Sequence, residues 1–88
     1  MDVRQTIGWN LKRLRVAKGL SQERLAFEAE IDRSYVGRVE RGTENVTVAT
    51  LEALAKVLSV NVSELFAEID PKSAKSPGLR SGRKQKAP

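Results

Sequence analysis

The chain has 88 residues, with 16 Lys/Arg against 11 Asp/Glu and neither cysteine nor histidine. This suits a single domain and excludes disulfides, thiolate nucleophiles, histidine acid–base chemistry and the common zinc sites. The net charge of +5 is unevenly placed: residues 1–70 hold ten cations and all eleven acids, while residues 71–88 hold six cations and no acid. The high pI is thus a property of the tail, and any argument for a nucleic-acid partner rests on where individual arginines lie.

Taken in chain order, Asp2 caps a first helix from about Val3 to Lys18, with Gln5 as its capping-box partner. Val3, Ile7, Leu11 and Leu14 recur every three or four residues and form one buried stripe; Gly19 ends the helix. Trp9 lies roughly opposite that stripe, either covered by the C-terminal helix through Phe66 or Ile69 or exposed as a partner surface. A second helix starts behind Ser21, with Leu25, Ala26 and Ala29 on its inner face. A third starts behind Asp32 and runs to about Arg41, where Gly42 stops it. A fourth runs from about Val48 to Leu58 behind Thr47, with Leu51, Leu54, Ala55 and Leu58 inward. A fifth starts at Asn61, through an Asn61–Glu64 capping box and a Val60–Leu65 hydrophobic staple, and ends near Ile69.

No strand pattern or internal repeat competes, so the expected fold is all-α: a compact five-helix domain over residues 1–70. Residues 71–88, "PKSAKSPGLRSGRKQKAP", are too polar to offset their ordering entropy and are expected to be a disordered basic tail. That tail is either a solubilising end or an arm that touches phosphates. No apolar run approaches the ~20 residues of a membrane span, and "MDVRQTIGWN" lacks the apolar run of a signal peptide. The expected location is the cytoplasm, with no membrane partner.

The apolar residues Leu25, Ala26, Ala29, Ile31, Val36 and Val39 have the spacing of a helix-turn-helix, two helices crossing steeply through a short turn. On a helical wheel Val36 and Val39 face the core, and Ser34, Gly37, Arg38 and Arg41 face the opposite way, with Arg33 at the N-terminal flank. The alternative for such a face is plain solvation of its charges. "LSQERLAFEAEIDRSYVGRVERG" followed by "TVATLEALAKVLSVNVSELF" resembles the XRE (Cro/C1-type) helix-turn-helix family of phage repressors and Cro proteins, over roughly residues 5–67. "DRSYVGRVERG" with "NVT" after it further resembles the controller proteins of restriction–modification systems. Three residues depart from those patterns: Glu30 and Ser59 stand where glycine is usual, so each is expected to adopt a positive φ, and Glu44 stands where controllers often carry a base.

The resemblance implies a helix 3 that enters the major groove of DNA. Arg33, Ser34, Tyr35, Gly37 and Arg38 are then the candidate base contacts, with arginine reading guanine O6 and N7 and Gly37 leaving room for close approach. Gln22, Arg41, Thr43 and Asn45 are the candidate backbone contacts. Arg15 is the implied structural partner of Glu40, an ion pair that pins helix 3 to helix 1. Val46, Val48, Val60, Val62, Leu65 and Phe66 exceed what one small core requires, and some of them are expected to form a homodimer seam. The expected function is a sequence-specific transcriptional regulator that binds palindromic operator DNA as a homodimer. The alternative is the DNA-binding antitoxin of a toxin–antitoxin pair, against which the hydrophilic tail speaks. With no histidine or cysteine and with scattered carboxylates, no enzyme site, metal or cofactor is expected, and no small-molecule effector is evident from the sequence.

Overall fold

The computed structural model describes residues 2–69; the expectations for residues 71–88 lie outside them. Four α-helices form: α1 (Val3–Ala17), α2 (Gln22–Ala29), α3 (Arg33–Arg41) and α4 (Val48–Leu58), followed by a 3-10 helix, Val62–Phe66. Each α-helix starts at a side-chain cap that supplies an acceptor for an otherwise unpaired backbone N–H. Asp2 accepts from Gln5 N at 3.0 Å and its own N–H donates to Gln5 Oε1 at 3.1 Å, a complete capping box. Ser21 Oγ accepts from Arg24 N, Asp32 Oδ1 from Ser34 N, and Thr47 Oγ1 from Thr50 N. Glu30, Gly42 and Ser59 follow α2, α3 and α4 directly with positive φ, and Gly19 does so one residue beyond the Lys18 cap of α1.

Helices of eight to fifteen residues are marginal in isolation, and one shared core holds them. Ile7 and Leu11 come from α1, Leu25 and Ala26 from α2, Val36 and Val39 from α3, and Leu51, Leu54, Ala55 and Leu58 from α4. Fully burying one such leucine contributes about 1.5–3 kcal/mol. Helix α1 packs on α3 and on the 3-10 helix, while α2 packs on α3 and α4. The α2–α3 pair is thereby clamped from both sides, and one face of α3 stays in solvent.

Three features of the fold correct the sequence-based expectations. The fifth element is a five-residue 3-10 helix rather than an α-helix, and Asn61 makes no side-chain cap. What holds this segment is tertiary: Leu65 is fully buried, and the buried Asn10 amide on α1 donates to the carbonyls of Leu65 (3.2 Å) and Ala67 (2.9 Å). Leu65, expected among the apolar surplus, is therefore a core residue with no exposed surface in the single chain. Val3, expected on the buried stripe, is 56% exposed, because the first turn of α1 projects past the core.

Candidate nucleic-acid interface

Helix α3 is positioned from behind. Its inner residues Val36 and Val39 are sealed in the core, and α1 approaches it closely at Gly8. A Cβ on Gly8 would sit 2.8 Å from the Glu40 carbonyl oxygen and closer still to that of Val39, so only glycine permits this crossing. Two turns further along α1, Arg15 forms a nearly dry two-point ion pair with the side chain of Glu40, with Nε to Oε2 at 2.6 Å and Nη2 to Oε1 at 3.1 Å. Arg15 Nη1 also donates to the Leu20 carbonyl at 2.8 Å, and Gln22 Nε2 to Glu40 Oε1 at 2.9 Å. The network joins α1, the α1–α2 turn, α2 and α3. Its value is geometric: a buried pair gains little net stability, but either charge left alone is costly.

The outer face begins at the α2–α3 turn. Asp32 Oδ1 accepts from the Ser34 backbone N–H (2.9 Å) and from Ser34 Oγ (2.8 Å). That backbone hydrogen bond, first among the causes, holds the Asp32 carboxyl below its ordinary value. Arg33 is exposed on the first turn, and its side chain makes no hydrogen bond or ion pair among the described residues. Tyr35 is half-buried, packed on the rim of the core, and its ring lies 5.6 Å from the Arg38 guanidinium carbon. Arg38 Nε donates to Glu44 Oε1 at 2.8 Å, and Nη1 reaches Ser34 Oγ at 3.4 Å. Arg41 and Asn45 are exposed. Thr43 Oγ1 donates to the Arg38 carbonyl at 3.1 Å, closing the C-terminus of α3.

Two candidate contacts sit differently from the wheel-based expectation. Gly37 is buried rather than open, because the side chains of Arg41 and Gln22 fold over it; a Cβ would lie 3.4 Å from Arg41 Nη1 and 3.9 Å from Gln22 Oε1. Gln22 is half-buried with its amide committed to Glu40, so that amide is not a free phosphate ligand in this state. Among the apolar candidates for a seam, Val48 is 72% and Phe66 43% exposed, while Val46, Val60 and Val62 are half-buried against the core. Trp9 is half-buried.

Sequence reasoning missed Gly8 and Asn10. Both left a signal: a glycine in mid-helix forgoes ~1 kcal/mol of helix propensity relative to alanine, and an amide in a helical stripe needs partners once buried. Among the described residues no cluster of His, Cys, Asp or Glu is placed to hold a metal ion, and no helix is long and apolar enough to cross a membrane.

A helix pair joined by a short turn, its second helix buried on one side and arginine-bearing on the other, defines the helix-turn-helix class. Residues 11–65 match the helix-turn-helix family, and the chain belongs to that family, in its XRE (Cro/C1-type) branch. It is 37% identical over 66 residues to control protein C.BamHI of Bacillus amyloliquefaciens, covering 74% of this chain and 82% of that one. It is 42% identical over 66 residues to control protein C.SmaI of Serratia marcescens, covering 75% and 79%. Among solved structures, the restriction–modification controller protein C.AhdI of Aeromonas hydrophila superimposes with a TM-score of 0.70 at 51% identity, over 72% of this chain and 96% of that one. The chain is thus a DNA-binding regulator by family, with controller proteins among its relatives.

Proposed function

We propose that the chain is a sequence-specific transcriptional regulator of the controller type, which binds palindromic operator DNA as a homodimer with α3 in the major groove. The observation that carries this reading is the two-sided character of α3. Its inner side is locked to α1 by Glu40 and Gly8, and its outer side offers Arg33 unpaired at the N-terminal turn, the part of a recognition helix that meets base edges. Arg33, Ser34, Tyr35 and Arg38 read bases in this scheme. Arg41, Thr43 and Asn45 follow the backbone, where contacts fix register but carry no sequence information.

One domain this small covers a single half-site. Exposed Val48 and Phe66 and half-buried Val46 and Val62 would supply a seam that sets two reading helices ~34 Å apart, one turn of DNA. Selection of bound duplexes from a random pool, followed by titration of the selected site, tests the reading. A palindrome with one-turn half-site spacing is expected, and Arg33→Ala should lose ~1–3 kcal/mol on that site and little on random DNA. Equal loss on both would make Arg33 a phosphate contact. Sedimentation showing only monomer at micromolar concentration would remove the dimer.

A further inference from the structure

We propose that Glu44 is a specificity-determining positioning residue: its carboxylate, 2.8 Å from Arg38 Nε, fixes the Arg38 guanidinium so that Nη1 and Nη2 are offered to a single guanine. The assignment rests on the reading of α3 as the base-reading helix. An arginine on a DNA-facing surface has two competing destinations. Phosphate oxygens attract it without regard to sequence, and a guanine edge accepts two hydrogen bonds through O6 and N7. What decides between them is where the guanidinium is held before it meets the duplex.

In this chain Arg38 is held from three directions. Glu44 reaches back from the loop after Gly42 and takes the Nε–H. The Tyr35 ring lies beside the guanidinium, 5.6 Å from its central carbon. Ser34 Oγ, itself tied to Asp32, stands 3.4 Å from Nη1. With Nε occupied, the side-on mode through Nε and Nη2 is closed. The end-on mode through the two terminal nitrogens remains, and its spacing suits the two acceptors of guanine.

The charge of Glu44 acts in the same direction. Alone on this face, a carboxylate would be repelled by phosphate. Paired, it offsets the Arg38 cation as seen from the backbone and leaves Nη2, with the N–H of Nη1 that is not turned to Ser34 Oγ, to donate. To swing toward a phosphate, Arg38 would have to abandon Glu44 or carry it into the negative field of the duplex. Glu44 thereby raises the ratio of specific to non-specific binding rather than affinity itself.

The test uses the full chain and its variants Arg38→Ala, Glu44→Ala, Glu44→Gln and the Arg38→Ala/Glu44→Ala double. Each is titrated against the selected operator, its single-base-pair variants and a random duplex. Arg38→Ala should lose roughly tenfold or more of discrimination at one G·C pair per half-site. Glu44→Ala should lose part of the preference at that same pair and at no other, and should bind random DNA more tightly. In the Arg38→Ala background it should change that preference no further. Glu44→Gln keeps an oxygen acceptor for Nε and should retain more of the preference than Glu44→Ala. The proposal is overturned if Glu44→Ala leaves the preference intact, sharpens it, or spreads the loss over many base pairs as a misfolded loop would. If Arg38→Ala keeps every preference while Arg33→Ala abolishes one, the major-groove reading stands and the role of Glu44 falls. If the unaltered chain binds all duplexes alike, the major-groove reading falls and the role of Glu44 with it.

Discussion

Glu40 shows how one carboxylate can be both a burden and a pin. Its side chain is 5% exposed and that of Arg15 is 11% exposed, so truncating either one strands a charge in a nearly dry site. Arg15→Ala and Glu40→Ala should each cost ~3–5 kcal/mol, and the double variant should cost clearly less than their sum. Urea unfolding of the four proteins checks this; small, additive losses would mean that the pair is loosely solvated. Gln22 shares the Glu40 carboxylate, so part of the penalty passes to α2 when the pair is broken. Gly37 marks the limit of reading residues one at a time. Its wheel position is outward, but Arg41 and Gln22 are long enough to fold over it, and a wheel carries direction without the reach of neighbours. Gly8 is the opposite case. Nothing local explains it, since its reason is the backbone of α3 against it, far along the chain.

At the scale of elements, starts are more legible than packing. Asp2, Ser21, Asp32 and Thr47 act on N–H groups two or three residues ahead, and such short-range chemistry is written in the sequence. The last element is held by Asn10 and by the burial of Leu65, which no local pattern encodes, and so its sequence reads as an α-helix with a capping box. Helix ends offer a prediction. Glu30 (φ 60°) and Ser59 (φ 59°) hold left-handed conformations that cost a residue with a Cβ roughly 1–2 kcal/mol. In each case the next residue closes the turn, Ile31 N to Ala26 O and Val60 N to Ala55 O, both at 3.0 Å. Glu30→Gly and Ser59→Gly should each stabilise the fold by about 0.5–1 kcal/mol, the relief being partly offset by the greater freedom of glycine when unfolded. A rise of a few degrees in thermal midpoint is expected, and a fall would show that the two side chains make up for the strain.

For the molecule as a whole, the charge division sets the experiment. Residues 1–70 carry net −1 and residues 71–88 net +6, so the proposed reader is a slightly acidic body followed by a basic segment. Deleting residues 71–88 should leave the fold intact, because the last buried core residue among those described is Leu65. Operator preference should survive if it comes from α3. If the segment tracks phosphates, its removal should weaken binding to every duplex alike and flatten the salt dependence by ~0.9 in log–log slope for each phosphate no longer neutralised. An unchanged slope would assign the high pI no part in DNA binding.

Asn10 has a kinetic consequence. Its amide bonds to Leu65 and Ala67 span 55 and 57 residues of chain, whereas the α2–α3 turn and its caps close over a handful. Contacts of high sequence separation carry the larger loop-closure cost and tend to form after local ones. The helix-turn-helix should therefore assemble first, with the 3-10 turn docking onto α1 as a late event. Asn10→Ala removes both long-range bonds and leaves the two carbonyls unsatisfied, at ~1–3 kcal/mol. Most of that loss should appear as faster unfolding, with the refolding limb of the chevron nearly unmoved; slower refolding instead would place this long-range closure at the nucleus.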